Sequence, residues 1–414
     1  MSKLQIRNVG PIKNACGTEY IHFNSLTVFL GPQGSGKSTL AKVYSSLAWL
    51  EKAILREEVT QQQCEEDSFF LNHVIAYQGI QSYFQENSYL HFIGKGCEFT
   101  YKNGKFTVSK LDNESAFKMP KIMYVPAERN FLTAITRPEF IKGLPKPLHS
   151  FLAEYEQAKE WVAQQEENKI LLPVGELNYY YDKESSHSLL VGDGFKTELL
   201  HGSSGFQSLV PLFVVTEYLA NLVANKKDDP TYEFFSVIQK ENKKNKVVKL
   251  LESYKGKKPT SENLKAMLNI INQVEDYYQY KSFVNIVEEP EQNLYPESQK
   301  KVLFNLIENL NKTKENKLVI TSHSPYILNF ITLCTEAYKI HQQKNLGLAA
   351  ASVLESIVPK QASLNIDKVN AYEIDTLGNI KLLNKEHGLI DDAHSLNRAF
   401  EKINEDFSSL LDME

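Results

Sequence analysis

The chain has 414 residues, of which 42% are hydrophobic, 23% charged and 11% aromatic. This composition is typical of a globular protein and excludes a disordered or collagen-like chain. With 46 Lys and Arg against 51 Asp and Glu the net charge is -5, so the overall charge gives no general affinity for nucleic acid. No apolar run approaches the ~20 residues of a membrane helix, no signal peptide is recognisable, and the four cysteines are scattered. We therefore expect a cytoplasmic protein with no membrane partner.

The first predicted elements are short strands over LQIRNV, EYIHF and SLTVFL. The last of these is a continuous apolar run, typical of a central strand that is buried on both faces. A glycine-rich segment follows, and then TLAKVYSSLAWLEKAIL, which has helical spacing. Around residues 90–110 the pattern changes to strands, with Asn103-Gly104 as a hairpin turn. A further strand, KIMYVP, leads into AERNFL.

The middle of the chain predicts a helix over 150–168, strands within 176–200 and another helix that opens in HGSSGFQSLVPLFVV. The segment 226–258 carries ten Lys against five Asp and Glu, a local charge of about +5. Buried-strand patterns return in SFVNIVEEP and, at 317–321, in KLVIT.

Near the end of the chain a hairpin (AYEID, then IKLL) precedes a helix with one apolar stripe. We expect this stripe to pack on the core or on a sister subunit. The order of elements predicts an α/β fold in which residues 1–125 and 281–390 form one core. Residues 126–280 form a second lobe with a helical insertion, and 391–414 form a C-terminal helix.

The strongest motif is GPQGSGKST, which matches G-x-x-x-x-G-K-[ST] between a buried strand and a helix. Its residues are Gly31, Pro32, Gln33, Gly34, Ser35, Gly36, Lys37, Ser38 and Thr39. Such a loop turns its N–H groups toward a phosphate, Lys37 neutralises phosphate charge and Ser38 ligates Mg²⁺. The alternative is a glycine turn before an ordinary helix.

Two adjacent acids, Glu288 and Glu289, end the apolar strand VNIV. Carboxylates there are costly unless a cation is near, and alternation along a strand would point them in different directions. Glu288 could reach a Mg²⁺ shell while Glu289 polarises a water for attack on a γ-phosphate. Read alone, the pair could equally mark a strand that emerges into solvent.

Two further segments carry polar residues at element ends. His323 follows the buried strand KLVIT, at the edge where open α/β sheets bind ligands, so it is a candidate γ-phosphate sensor or a structural histidine. The segment GSSGFQS begins a helix and could form an anion site from Ser203, Ser204, Gly205 and Gln207. Taken alone, an N-capped helix after a glycine turn accounts for that segment better.

In this order, GPQGSGKST, SSGFQS, IVEEPEQNLYP and ITSHSPYIL resemble the ABC-type ATPase head of the SMC, Rad50, RecF and OLD proteins. The resemblance covers roughly residues 3–330. It implies ATP and Mg²⁺ as ligands, a mixed central sheet, an antiparallel β subdomain and an inserted helical lobe. Gly31 to Thr39 would be the Walker A loop, with Glu288 the Walker B acid and Glu289 the catalytic glutamate.

The same resemblance implies a D-loop over Pro290 to Pro296, a switch histidine at His323 and a signature over Ser203 to Gln207. In that family the signature caps the γ-phosphate of the opposite subunit, which implies a head-to-head dimer or higher homo-oligomer. Glu288 stands where Asp is usual, and no clear Q-loop glutamine follows the P-loop. Glu128 or Arg129 could couple nucleotide to the second lobe, or could form a surface ion pair.

Several features of the family are missing from the sequence. There are no long heptad arms, so we expect no long coiled coil, and no Toprim metal motif follows His323. The chain is also similar to the small AAA-type ATPases of bacterial anti-phage systems, most of all to the ATPase of the PARIS system and next to that of Septu-type systems. That similarity implies a nuclease or toxin partner and a phage trigger protein.

Three functions remain open from the sequence. The first is a defence ATPase that restrains or activates a nuclease, and the second is a RecF-like ATPase of repair whose 226–258 segment contacts DNA. A solvated helical insertion is the alternative for that segment. The third is an interaction scaffold with an inactive nucleotide site, which the presence of Lys37, Glu289 and His323 disfavours.

Overall fold

The computed structural model describes most of the chain. The described residues are 1–15, 19–112, 117–135, 138, 141–225, 244, 247–249, 251–252, 261–343, 347–386, 389–391, 394–411 and 413. The lysine-rich segment predicted over 226–258 lies almost wholly outside them.

The strands are short, and most lie where the apolar patterns predict them. They are β1 (Ser2–Val9), β2 (Ile12–Ala15), β3 (Ile21–Phe23), β4 (Leu26–Leu30), β5 (Phe84–Ile93), β6 (Cys97–Lys102), β7 (Lys105–Lys110), β8 (Pro120–Val125), β9 (Lys169–Leu171), β10 (Asn178–Asp182), β11 (His187–Gly192), β12 (Phe195–Glu198), β13 (Ser282–Glu288), β14 (Lys317–Ser322), β15 (Val369–Ile374), β16 (Asn379–Leu382), β17 (Lys385–Glu386) and β18 (Leu389–Ile390).

The helices pack on both faces of the sheet that these strands form. They are α1 (Lys37–Leu55), α2 (Gln61–Glu65), α3 (Lys146–Val162), α4 (Ser204–Ala224), α5 (Ser261–Tyr278), α6 (Pro296–Asn311), α7 (Tyr326–His341), α8 (Leu348–Ile357) and α9 (Ser395–Leu411). A single π-helical stretch runs over Phe70–Ile75, and a 3₁₀ segment over Ala127–Thr133 contains the AERNFL sequence.

Twelve strands of the described chain form one mixed sheet in the order β7-β6-β5-β1-β2-β16-β15-β4-β14-β13-β8, with β3 beside β1. The neighbours β15, β4, β14, β13 and β8 are parallel, whereas β1, β5, β6 and β7 are antiparallel. Strands β9 to β12 form a separate antiparallel sheet. The predicted α/β class, with a mixed central sheet and an antiparallel β part, is confirmed.

The parallel strands are apolar because helices cover both of their faces. Every residue of β4 and β13 is buried. Helix α1 packs with β1, β5 and β6 in one core cluster, and helices α3, α4, α6 and α7 pack in the other. Asn103 and Gly104 both have positive φ, 52° and 75°, as the predicted hairpin turn between β6 and β7 requires.

Helix α4 lies inside the protein. By length and composition it is the one helix of the described residues that could cross a membrane, but 78% of its most apolar window is buried in the protein. It contacts α3, α6 and β13, so its apolar surface belongs to the core.

The helix predicted over 150–168 is displaced: α3 spans Lys146–Val162. Pro147 stands in its first turn, where its missing N–H costs nothing, so the helix begins earlier than the apolar spacing indicates. Beyond its end Glu167 takes a positive φ of 56°, which a helix does not allow, and β9 follows at once.

The contacts of the C-terminal helix α9 with the rest of the described chain lie at its beginning. The Glu373 carboxylate accepts hydrogen bonds from the Ser395 N–H and the Arg398 guanidinium, and Leu396 packs on the core. Farther along, Ile403 and Phe407 are 62% and 60% exposed. The expectation that this stripe packs on the core is therefore wrong for these residues, and contact with a sister subunit stays a prediction.

Replacing Ile403 and Phe407 together by Glu should change the free energy of unfolding by less than about 0.5 kcal/mol, because neither side chain is covered within one chain. Urea denaturation at low protein concentration measures this. Leu303→Ala, at a fully buried position of α6, is the control and should cost about 2–5 kcal/mol. A large loss in the double variant would show that the stripe is covered after all.

Candidate nucleotide-binding site

Three parallel strands end side by side at one edge of the main sheet. Leu30, the last residue of β4, pairs with Ser322 at the end of β14, and Thr321 pairs with Glu288 at the end of β13. Because parallel strands expose their carboxyl ends at the same edge, the segments that follow them meet there. These segments are the glycine-rich loop, the His323 turn and Glu289.

The loop between β4 and α1 has the backbone that only glycine adopts easily. Gly31, Gly34 and Gly36 have φ of 149°, 76° and 107°. A Cβ on Gly31 would lie 2.3 Å from the Ile374 carbonyl oxygen, so glycine is also needed there for space. Gly36 precedes α1 and offers no side-chain cap, which leaves the first N–H groups of α1 available to an anion.

Lys37 lies folded back on its own loop. Its ammonium donates to the carbonyls of Gly31 (2.8 Å) and Pro32 (2.9 Å) and lies 3.2 Å from His323 Nδ1. Burial lowers the pKa of Lys37 to about 8, against the opposing effect of nearby carboxylates, first of all Glu289. A desolvated cation with only carbonyl and imidazole partners is ready to exchange them for phosphate oxygens.

The two acids at the end of β13 have different surroundings. Glu288 is 4% exposed; its Oε2 accepts the Ala127 N–H at 3.4 Å, and its Oε1 has no hydrogen-bond partner among the described residues. Glu289 has a positive φ of 44° and is partly exposed, with Oε1 3.2 Å from His323 Nε2. The hydrogen bond from His323 lowers the pKa of Glu289, so this carboxylate is ionised at neutral pH.

His323 therefore bridges Lys37 and Glu289 through its two ring nitrogens. Its backbone is held by Glu291, whose Oε1 accepts from the Ser322 hydroxyl (2.7 Å) and from the N–H groups of His323 (2.7 Å) and Ser324 (3.1 Å). The sequence predicts Glu291 as part of the D-loop and indicates no role of its own for it. The one feature that could have indicated its role is its position two residues after Glu289.

Arg129 joins this edge of the sheet to helix α4. Its guanidinium is fully buried and donates to the carbonyls of Glu288 (2.7 Å), Glu289 (2.7 Å), Ser208 (3.0 Å) and Pro126 (3.3 Å). Burial lowers its pKa to about 10, so it stays charged at neutral pH. The surface ion pair considered for Arg129 is therefore wrong, and a coupling position fits its contacts.

The GSSGFQS segment lies beside the D-loop. Gly205 fits so closely that a Cβ would lie 2.8 Å from the Asn293 carbonyl oxygen, and Asn293 Nδ2 donates to Ser208 Oγ at 3.1 Å. Ser203 and Ser204 are exposed at the beginning of α4 and, within the described chain, form no hydrogen bond to the glycine-rich loop.

Gln207 turns away from the exposed end of α4. Its side-chain Nε2 donates to the Leu200 carbonyl at 2.8 Å, and its backbone carbonyl accepts from Thr133 Oγ1 at 3.0 Å. Within one chain, the structure thus brings together the P-loop, both acids and His323, while the four candidate signature residues lie along the adjoining α4 terminus.

The residues present fit Mg²⁺. Glu288 Oε1 is a buried carboxylate oxygen without a hydrogen-bond partner among the described residues, and such an oxygen is costly unless a cation or a donor reaches it. Ser35 Oγ in the loop is also buried and has no partner in that part of the chain. Ser38 is exposed at the first turn of α1, and Thr39 beside it is buried. Glu288 and Ser38 are the residues that would hold the ion.

Fold and site together are those of an α/β protein with a glycine-rich loop between β4 and α1 at the carboxyl edge of a mixed sheet. The chain is similar to an SMC head solved with the C-winged helix domain of ScpA (11% identity, 79% of this chain and 90% of that one, TM-score 0.36). It is also similar to the SMC head domain of Thermotoga maritima (11%, 79% and 90%, 0.32). A third likeness is to a nucleotide-free cassette of an ABC transporter (11%, 94% and 93%, 0.29). No family model and no curated protein matches the chain.

Replacing Arg129 by Met should lower the free energy of unfolding by about 3–5 kcal/mol, because it leaves buried carbonyls without a donor. Urea denaturation at pH 7 measures the loss. Arg398→Met is the matched control: that side chain is 54% exposed and its loss should cost less than about 1 kcal/mol. Equal stability of Arg129→Met and wild type would contradict the structural role given to Arg129.

Proposed function

We propose that the chain is an ABC-type ATPase that binds ATP with Mg²⁺ and hydrolyses the γ-phosphate. The observation that carries the proposal is the contact series from Lys37 through His323 to Glu289, at the mouth of a glycine-rich loop. These groups supply a cation for the phosphates, a hydrogen-bonding imidazole and a carboxylate base within reach of one another.

Each of these residues has a defined task in the proposal. The loop N–H groups and Lys37 bind the triphosphate, and Lys37 leaves the carbonyls of Gly31 and Pro32 to do so. Mg²⁺ supplies charge neutralisation to the phosphates when it is bound at Ser38 and Glu288. Glu289, kept ionised by His323, accepts a proton from the attacking water, and His323 is then free to contact the γ-phosphate.

The signature residues support a composite site. Ser203 and Ser204 are exposed and bear hydroxyls at a helix N-terminus, and no hydrogen bond within the described chain links them to the glycine-rich loop. Facing the loop of a second copy, they would cap the γ-phosphate there. The proposed assembly is a head-to-head dimer, or a higher oligomer built from it, that encloses two ATP molecules.

Glu289→Gln should keep ATP binding and lower turnover about 10²-fold or more, because it removes the base without changing the shape of the site. Lys37→Ala should lose tight ATP binding itself. Phosphate release and equilibrium binding of a fluorescent ATP analogue measure the two effects. Turnover at the wild-type rate in Glu289→Gln would contradict the assignment of the base.

Mixing two inactive variants tests the composite site. Lys37→Ala disables one loop and Ser204→Arg blocks one signature, so each homodimer has no complete site. In a mixed dimer the intact loop of one subunit faces the intact signature of the other, so one of the two sites is complete. Because about half of the dimers in an equal mixture are mixed, about a quarter of wild-type activity should return. Ser185→Arg, at an exposed turn, is the control for the added charge and should be fully active alone. If mixing restores nothing, the signature does not act between subunits.

We further propose that this ATPase works in the cytoplasm as the sensor of an anti-phage system, with a separately encoded nuclease or toxin as its partner and a phage protein as its trigger. The support is the resemblance of its motifs to the ATPases of such systems. Co-purification from the native operon tests it: capture of a nuclease supports the proposal. DNA-stimulated ATPase activity without such a partner would favour the RecF-like alternative.

A further inference from the structure

A cavity of about 530 Å³ lies beside β8 and is lined on α1 by Ser45, Ser46, Trp49 and Lys52, beyond the first turns of that helix. Strand β8 is an edge strand of the twelve-stranded sheet. Helices α1 and α3 both pack against it. The π-helix Phe70–Ile75, the turn that follows it and Tyr280 complete the walls. The volume is within the range of pockets that hold small organic ligands.

Two residues that line this cavity carry buried polar atoms without hydrogen-bond partners among the described residues. Ser46 Oγ and Gln78 Oε1 both line it, and neither has a hydrogen-bond partner among the described residues. Buried polar atoms are normally satisfied, so these two mark a part of the cavity wall whose hydrogen bonding is incomplete among the described residues.

Lys52 is one of the charged residues that line the cavity, with Glu58, Lys121 and Glu154. It is 9% exposed, and within the described chain no carboxylate lies within 4.0 Å of its ammonium and no hydrogen bond reaches it. The Lys52 ammonium lies over the face of the Tyr280 ring, 5.7 Å from the ring centroid. Burial lowers the pKa of Lys52.

The other charges around Tyr280 are balanced. Arg56 stacks over the same ring at 4.8 Å and pairs with Glu58 at 3.7 Å, while Lys121 pairs with Glu154 at 2.7 Å. Among the described residues that line the cavity, the positive charge of Lys52 has no carboxylate partner of this kind. The cavity therefore suits a ligand with a single negative charge better than a dianionic phosphate.

Aromatic and apolar side chains form most of the remaining lining, among them Trp49, Tyr77, Val74 and Met123. Trp49 is 41% exposed at the cavity, which is unusual for so large an apolar ring. A flat apolar body would cover it and would remove both ring and ligand from water.

We propose that this cavity binds a small aromatic carboxylate, with the carboxylate at Lys52 and the ring between Trp49 and Tyr280. The site is separate from the nucleotide site, yet the two share elements: α1 begins with Lys37 and carries Lys52 in its last turn. Strand β8 leads from the cavity to Ala127, whose N–H is bound by Glu288. A bound acid would therefore stiffen two elements that hold the nucleotide site.

Trp49 gives a direct readout, since the chain has two tryptophans. In Trp161→Phe, emission comes from Trp49 alone, and titration with 3-phenylpropionate and 2-naphthoate should shift it saturably, with calorimetry confirming the affinity. The amides of the two acids have the same shape without charge and should bind about tenfold more weakly. Phenyl phosphate should bind no better than 3-phenylpropionate. No saturable binding of either acid, equal binding of acid and amide, or a preference for phenyl phosphate would overturn the proposal.

Two substitutions locate the site. Lys52→Met should lower carboxylate affinity about tenfold to the level of the amide, while leaving amide binding unchanged. It should also raise the melting temperature, because it removes an uncompensated buried charge, so loss of binding cannot be ascribed to unfolding. Lys42→Met, on the same helix but outside the cavity, is the control and should bind as wild type. Ala153→Phe should fill the cavity and abolish binding of both acid and amide.

The variants separate this proposal from the ATPase proposal, because binding is measured without nucleotide. Unchanged carboxylate affinity in Lys52→Met, or an equal loss in Lys42→Met, overturns the cavity assignment and leaves the nucleotide site untouched. Conversely, an inactive nucleotide site in Lys37→Ala should leave binding of 3-phenylpropionate as it is in wild type.

Discussion

The register of three parallel strands is the constraint on which the candidate site depends. Leu30 pairs with Ser322, and Thr321 pairs with Glu288, so all three strands end at the same edge of the sheet. A slip of one residue in β14 would turn its side chains to the opposite face and carry His323 away from both Lys37 and Glu289. Continuous apolar sequences allow β4 and β13 to be covered by helices on both faces.

Arg129 extends that constraint to helix α4. One guanidinium binds carbonyls at the end of β13 and in the first turns of α4, so the acids and the signature segment share a rigid support. Gly205 and Asn293 fit together at the same junction with no room for another side chain. A movement of α4 must therefore be transmitted to the backbone of Glu288 and Glu289, a physical link between subunit contact and the proposed chemistry.

The sequence predicts the elements whose signals are local. Strands β4, β13 and β14 are short apolar runs, and a glycine-rich loop that ends in Lys37 and Ser38 between a strand and a helix is typical of phosphate binding. The burial of Arg129 could not be predicted, because three of its four carbonyl partners come from segments 79 to 160 positions away. Neither could the exposure of Phe407: an apolar stripe shows that a face needs a partner, without showing whether that partner is in the same chain.

The β8 cavity could not be predicted from the sequence either, because its lining residues come from separate segments of the chain. These are α1, the π-helix, β8, α3 and Tyr280. Lys37 and Lys52 nevertheless follow one physical rule. Both are cations on α1 that burial deprives of water and that no carboxylate pairs within hydrogen-bonding distance in the described chain. Such groups lower stability, and proteins retain them mainly where a ligand supplies the missing anion. For Lys37 that anion is the proposed triphosphate, and for Lys52 it is the proposed carboxylate.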